Sequence, residues 1–391
     1  MTGALLCPRD ISPTFAANAD FIRQRIDRTA ERINHHIDRL CPNASADACS
    51  TWLPPGHITG TTGPGTPPVV AQRLHRALTS PVRHLTDAGG QRWRPVLAWE
   101  AIGLMGGDSE SCGLLIAASE LLHTGSLIVD DVQDASPLRR GQPAVHTMFG
   151  MPTAVNAGTA AYFLWERAVQ LTFPDDASRC GELRALGLAA LRAAHAGQAL
   201  DLQGHREEMD QAVAGDDRHT VLELVRLTHR LKSGAPVSAA MEAAGVVTGA
   251  EPELRRALGA FGSAVGTAYQ IADDVADLSG VTRAGAPTKQ ATEDLRSGKV
   301  TMPLAHAVIR LPQSRLNQLW QQVKDGSGSA TAVAEACRDL NACGAVRACL
   351  EEADQLVSDA WNKLEPLLPS AGHSHLLYEL ALSVVRRDQV A

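Results

Sequence analysis

One short acidic element occurs twice in this chain, and it constrains the reading more than any other feature. The first copy is Leu127-Ile128-Val129-Asp130-Asp131-Val132-Gln133-Asp134; the second is Gln270-Ile271-Ala272-Asp273-Asp274-Val275-Ala276-Asp277. Each follows an apolar stretch of helical character. On a helix the first and last carboxylates of such an element lie one turn apart on one face, and the middle one is offset by about 100°. Three carboxylates crowded there repel one another and raise their own pKa values. A divalent cation removes the conflict. Magnesium suits it, because it takes one or two carboxylates, keeps waters and completes its octahedron with phosphate oxygens. A single copy reads as a solvated helix end. Two copies read as facing acidic metal sites able to clamp one diphosphate from both sides while a carbon–oxygen bond ionises.

The rest of the chain fits a helical frame for these elements. Beyond residue 68 it is dominated by Ala, Leu, Glu, Arg and Gln, strong helix formers with low strand preference. No strand–turn–strand alternation stands out. Turn chemistry at Gly106-Gly107-Asp108, Gly150-Met151-Pro152, Pro174-Asp175-Asp176, Gly215-Asp216 and Gly280 to Pro287 separates segments of helical length. Residues 21–40 place Phe21, Ile22, Ile26, Ile33 and Ile37 at helical spacing. Residues 41–68 are dense in Pro, Gly, Thr and Ser, which favours an exposed linker or long loop. The expected organisation is an N-terminal helical segment over 1–40, a linker over 41–68 and one large all-α domain over 69–391.

Charge and cysteine usage exclude other classes. A formal net charge of -7 gives no basic footprint for nucleic acid or anionic membrane. The eight cysteines form no Cys-x-x-Cys pair, and those in Ala-rich stretches read as small buried thiols. The N-terminus lacks the basic start and apolar core of a secretory signal, and no run of about 18 apolar residues predicts a membrane span. The expected compartment is the reducing cytoplasm.

Cations follow the acidic elements. Arg139 and Arg140, before a glycine turn and five and six residues past Asp134, offer two guanidinium forks in different directions, suited to two phosphates. Lys232-Ser233-Gly234, Lys289 and Lys299 supply more positive charge.

These motifs, in this order, resemble the trans-isoprenyl diphosphate synthases. Gly89-Gly90-Gln91-Arg92-Trp93-Arg94-Pro95 is similar to that family's GGKRxRP element, and Glu120-Leu121-Leu122-His123 leads into its first aspartate-rich motif. Arg139 to His146, Gly197-Gln198 with Asp201, Lys232-Ser233-Gly234, Tyr269 to Asp277 and Lys289 to Pro303 follow in sequence. The resemblance covers roughly residues 80–390. It implies an all-α isoprenoid synthase fold, a helical bundle around a deep apolar pocket, and a homodimer. It also implies magnesium held by Asp130, Asp131, Asp134, Asp273, Asp274 and Asp277, with Asp130, Asp131, Asp273, Asp274 and Lys232 catalytic. Arg139, Lys232, Ser233, Gln270 and Lys289 would then handle an allylic diphosphate. Arg94, His123 and Arg140 would hold isopentenyl diphosphate, and Lys299 would help close the site.

Two departures matter. The family's GGK lysine, a ligand of isopentenyl diphosphate, is Gln91 here, and Thr292 stands where a glycine is usual. The leading expectation is a prenyltransferase making a linear chain of about C20. The alternatives are a cyclase or lyase acting on a preformed prenyl diphosphate, which Gln91 favours, and a non-catalytic partner subunit. The C20 expectation rests on small residues at Gly125 and Ser126, read as the upper wall of the pocket. Tyr162, Phe163 and Trp165 are read as floor or core.

Overall fold

The computed structural model describes residues 13–53, 67–215, 217–279, 282–283, 286–287, 292–324, 330–369 and 374–386. Its body is helical. The longer helices that position the site are α1 (Pro13–Leu40), α2 (Trp93–Leu104), α3 (Gly113–Gln133), α4 (Met151–Ala161), α5 (Leu164–Thr172), α6 (Ala177–Gln203), α7 (Thr220–His229), α8 (Ala235–Val247), α9 (Pro252–Ser279), α10 (Met302–Arg310), α11 (Ala345–Leu364) and α12 (Ser374–Val385). The strand content departs from expectation by two antiparallel two-residue ladders. β1 (Leu138–Arg139) pairs with β2 (Gln142–Pro143), and β3 (Thr282–Arg283) pairs with β4 (Ala286–Pro287). Ladders this short carry no alternating hydrophobic pattern, so periodicity does not reveal them.

Helix α9 is central, packed between α8 and α11. Its inward stripe of Leu258, Phe261, Val265, Ala268 and Ile271 recurs at helical spacing and is fully buried. The ring of Phe261 meets Trp361 of α11 edge-on, with centroids 5.5 Å apart. Helix α3 forms a second axis, packed against α1, α4 and α5. By length and composition α3 alone among the described helices is apolar enough to cross a membrane. It is instead a core helix: Leu115, Ile116, Leu121 and Ile128 are buried within the bundle, and Glu120 and Asp131 are buried with them.

The N-terminal helix is part of the body. Ile33 and Ile37 are buried, Arg25 grips the buried Glu100 of α2 with two hydrogen bonds of 2.9 Å, and Thr29 adds a third at 3.2 Å. Of the stretch expected to be a linker over 41–68, residues 54–66 lie outside the described residues, and the part before them holds structure. Residues Ser45–Asp47 form a 3-10 turn and Ala48–Trp52 a short helix, whose Trp52 Nε1 donates to Thr79 Oγ1 at 2.8 Å. Pro and Gly density marked it as loop, but Ala48 and Thr51 are buried and anchor it.

A π-helical turn, Arg230–Gly234, joins α7 to α8 and carries Lys232 and Ser233. Such turns widen a helix and recur at functional sites. Neighbouring helices close on it through glycines. A Cβ on Gly197 of α6 would lie 2.3 Å from the Lys232 nitrogen, and one on Gly266 of α9 would lie 2.5 Å from the Ser233 oxygen.

Candidate active site

Asp130 and Asp131 end α3, and their offset around the helix sends them to different partners. Asp131 is fully buried, and Arg139 approaches its Oδ1 with Nε at 2.7 Å and a terminal nitrogen at 2.5 Å. Asp130 faces the mouth. It accepts from Gln198 Nε2 at 2.9 Å and Lys232 Nζ at 3.2 Å, and Arg139 lies 3.7 Å away. Burial pushes Asp130 up, but the Lys232 and Arg139 charges outweigh it and hold the carboxyl below its usual range. Asp131 goes the other way: burial dominates even with Arg139 alongside. Asp134 is raised by desolvation at the mouth and by the charge of Asp130. The mutual rise expected of crowded carboxylates thus holds for Asp131 and Asp134, where burial is the larger cause, and not for Asp130, whose charge Lys232 and Arg139 offset.

The second element is arranged the same way. Asp274 is buried. Its Oδ2 accepts from the Met302 amide at 2.9 Å and lies 3.2 Å from His229 Nε2, and its Oδ1 accepts from Gln270 Nε2 at 3.3 Å. Ser233 Oγ in turn donates to Gln270 Oε1 at 2.8 Å. Asp277 is buried and accepts from the Asp294 amide at 3.2 Å. Asp273 is half-buried, and its charge acts on Arg94.

Between the two elements Lys232 and Lys299 share one oxygen of Asp201, at 2.7 and 3.0 Å. Burial lowers both lysines, but the nearby carboxylates, Asp130 and Asp201 for Lys232 and Asp201 foremost for Lys299, outweigh it and keep both ammonium groups charged. Four cationic or amide groups thus converge on the aspartates: Gln198 from α6, Lys232 from the π-helical turn, Arg139 from β1 and Lys299 from the loop before α10.

A second cationic group lies around α2. Arg94 Nη1 donates to His123 Nε2 at 3.2 Å and stacks over the rings of Trp93 and Tyr269, at 4.3 and 5.1 Å. Burial lowers Arg94 to about 10, and burial with four nearby arginines holds His123 well below its ordinary value. Arg140 donates to the Leu85 and Gly89 carbonyls and reaches Glu120 at 3.4 Å. Glu120 pairs closely with Arg92, at 2.5 Å, so Arg92 is a strut of this wall, while Gln91 beside it is exposed.

The structure brings together Asp130, Asp131, Asp134, Lys232, Ser233, Gln270, Asp273, Asp274, Asp277, Arg139 and Lys299 around one mouth, with Arg94, His123 and Arg140 on the α2 side. Lys289 lies outside the described residues. Within each Asp-Asp pair the two carboxylates diverge, as their offset around the helix requires: Asp131 and Asp274 turn inward to protein donors. Sequence reading assigned no role to Gln198, Asp201, Glu120 or His229. Gln198 and Asp201 stand three residues apart on α6, a one-turn spacing that marked a shared face; His229 and Glu120 carried no such signal.

The reading of Gly125 as pocket wall needs correction. A Cβ on Gly125 would lie 2.4 Å from the Gly158 carbonyl oxygen, so Gly125 faces α4 in a close helix crossing and lines no open wall. Trp165 is core, donating from Nε1 to the Leu183 carbonyl at 2.8 Å. Phe163 is 72% exposed and lines a different cavity of about 880 Å³, between Ser45–Leu53 and the α4–α5 junction, that contains none of these site residues. Tyr162 alone of the three lies near the aspartates: burial and the Asp130 charge raise it to about 12, and its ring meets His195 edge-on at 5.6 Å.

Among the described residues no three His, Cys, Asp or Glu side chains converge closely enough to hold an ion by themselves. The donor set nevertheless fits magnesium. It is all oxygen, Asp131 Oδ2 is buried without a hydrogen-bond partner, and the ion takes few carboxylates when phosphates complete its shell.

Paired acidic elements in an all-helical bundle define the isoprenoid synthase fold. The fold is shared with a polyprenyl synthase from Caulobacter crescentus, solved with calcium and isoprenyl diphosphate, at a TM-score of 0.70 and 26% identity over 93% of this chain and 97% of that one. Residues 75–340 match polyprenyl synthetase, and the chain belongs to that family as a trans-prenyltransferase. It is 32% identical over 285 residues to the short chain isoprenyl diphosphate synthase of Methanothermobacter thermautotrophicus, covering 73% of this chain and 82% of that protein. It is 27% identical over 308 residues to the octaprenyl diphosphate synthase of Escherichia coli, covering 78% and 88%.

Proposed function

We propose that the chain condenses isopentenyl diphosphate with an allylic prenyl diphosphate, with magnesium, to a linear product of about C20. The observation that carries this is the presence of two separate cation sets. Arg139, Lys232 and Lys299 stand among the aspartates, and Arg94, His123 and Arg140 stand on the α2 wall. One diphosphate needs only the first set; two substrates need both. A neutral His123 donating from its other ring nitrogen, with Arg94 oriented by its hydrogen bond to Nε2, suits recognition of the isopentenyl diphosphate.

In this reading Asp130, Asp134 and Asp273 would hold magnesium most directly, with the unpartnered Oδ2 of Asp131 available to it, while Asp274 and Asp277 accept from protein donors and orient their neighbours. Bound magnesium would stabilise the charge of the departing diphosphate. Lys232, Arg139 and Gln270 with Ser233 position the allylic diphosphate, and Lys299 draws the 292–299 segment onto the mouth through Asp201. The allylic carbon–oxygen bond breaks and diphosphate departs, the double bond of isopentenyl diphosphate attacks the resulting cation to form the new carbon–carbon bond, and the proton then lost passes to the released diphosphate. The product length of about C20 follows from the small Ser126 on the face of α3 that carries His123 and Asp130, with the Tyr162 ring close enough to feel the Asp130 charge. A homodimer through α4 and α6 accounts for the exposed Met151, Val155 and Leu188 on those helices, and the enzyme works in the cytoplasm.

Incubation with magnesium and C10, C15 or C20 allylic diphosphates, with and without isopentenyl diphosphate, tests the proposal. A linear product one or more C5 units longer than the allylic substrate, formed only with both substrates, is expected. A second reading is favoured by the uncharged, exposed Gln91: cyclisation or elimination of a preformed prenyl diphosphate. Hydrocarbon or alcohol released without isopentenyl diphosphate would establish that reading instead.

A further inference from the structure

His229 closes α7 one turn before Lys232, and its ring reaches the buried Asp274 of the second acidic element. Its side chain is 10% exposed, and its Nε2 stands 3.2 Å from Asp274 Oδ2. An ionised carboxylate only accepts, so Nε2 is the donor. The same oxygen takes the Met302 amide at 2.9 Å, which leaves Oδ1 turned toward Gln270. Gln270 Nε2 donates to that Oδ1, and its carbonyl oxygen is thereby presented to Ser233 Oγ at 2.8 Å. His229, at ion-pair distance from Asp274, and the hydrogen-bonded run Asp274, Gln270 and Ser233 form one polar chain that starts and ends on the same segment, four residues apart, and passes through α9 between. The amide orientation of Gln270 follows from it: with Asp274 accepting, the carbonyl end faces Ser233.

We propose that His229 is a positioning residue for the allylic half of the site, setting the orientation of Gln270 and Ser233 through Asp274. It touches no substrate. Without His229 the Oδ2 of Asp274 retains only the Met302 amide, so the carboxylate turns about its remaining contacts, the Oδ1 acceptor that fixes the Gln270 amide shifts, and Ser233 loses its partner. The second cation set is untouched, since Arg94, His123 and Arg140 are tied to α2, α3 and the Leu85 and Gly89 carbonyls. The inference rests on the two-substrate reading above and predicts an effect confined to one substrate.

The test is steady-state kinetics of His229→Leu and His229→Gln beside the wild type, with calorimetric binding of a slowly ionising allylic thiolodiphosphate in magnesium. The leucine keeps bulk and removes the donor; the glutamine amide restores a donor at the reach of Nε2. For His229→Leu the allylic KM and the analogue's Kd are expected to rise about tenfold or more, the scale seen when a partner orienting a ligand is lost. The KM for isopentenyl diphosphate should stay within about twofold. His229→Gln should recover most of the loss. Equal shifts for both substrates, no shift, or a glutamine variant no better than leucine would overturn the assignment. If His229→Leu does not fold, His229→Asn replaces it, because its amide stops short of Asp274; the same selective rise is then required. A wild type that condenses nothing refutes the two-substrate reading, whereas a condensing wild type with indifferent His229 variants refutes this inference alone.

Discussion

Gly125 of α3 and Gly158 of α4 meet so closely that a Cβ on either would collide with the other's carbonyl oxygen, at 2.4 and 2.9 Å. The contact replaces the pocket wall expected at Gly125. Gly125→Phe therefore separates two core helices, and overpacking of this kind costs about 1–3 kcal/mol or more. A lowered melting temperature, seen by circular dichroism, is the expected outcome. Ser126→Phe, one residue on and four before Asp130, is the substitution expected to shorten the product. Product chromatography checks it, and an unchanged profile would exclude Ser126 from the wall.

The helical frame and the acidic pair were legible because both express themselves in short-range spacing: Asp130 with Asp134, Asp273 with Asp277, and the period of α9. What lay hidden was orientation between helices. Nothing local says that Asp131 turns to Arg139 and Asp274 to His229, since those partners come from a hairpin and another helix. The direction of Gly125 was equally invisible, because small residues suit both a cavity wall and a helix crossing.

The unequal environments of the aspartates separate two kinds of loss. Asp273→Ala is expected to cost roughly two decades in rate, the scale of losing a key charge-stabilising group, at an unchanged melting temperature. Asp131→Ala is expected to cost activity and also about 1–3 kcal/mol of stability, because Arg139 is left without its buried partner. Matched kinetics and denaturant titrations distinguish the two; an Asp131→Ala variant as stable as wild type would show that Arg139 finds water instead.

Gln91→Lys is expected to lower the KM for isopentenyl diphosphate by about tenfold, the low end of what one charge-assisted hydrogen bond gives at an exposed position. The allylic KM should not move. Steady-state rates with varied isopentenyl diphosphate decide it, and an unchanged constant would place residue 91 outside that site.

Thr292, standing where a glycine is usual, adopts φ 63° and ψ 27°. A β-branched residue in the left-handed region costs about 1–2 kcal/mol, offset in part by the greater freedom glycine has when unfolded. Thr292→Gly is expected to stabilise the chain by about 0.5–1 kcal/mol in denaturant titration, less whatever the Arg296 contact to Thr292 Oγ1 at 3.1 Å contributes. A net loss would mean that this contact outweighs the backbone term.

Glu352 of α11 gives a stability signature at low pH. Burial pushes its carboxyl up, but the His306 ring 2.9 Å away and two hydrogen bonds from Arg226 outweigh burial and hold it at about 2. A depressed folded-state value means that the stabilisation is full above the unfolded value of 4.5 and is lost as pH falls toward about 2. Glu352→Gln is expected to flatten that part of the stability–pH curve, measured by urea unfolding between those limits.

The non-glycine residues with left-handed backbone among the described residues are Arg92, Ala135, Arg140 and Thr292, and all four border the site. They divide the room available for making this protein more heat-resistant. At Ala135 and Thr292 the side chain serves no substrate in the reading above, so glycine or asparagine there releases strain at little catalytic cost. At Arg92 and Arg140 the same backbone aims a guanidinium at Glu120, and relaxing it would discard the group it presents. A selection for thermal tolerance should therefore accumulate changes at the first two positions and leave both arginines alone.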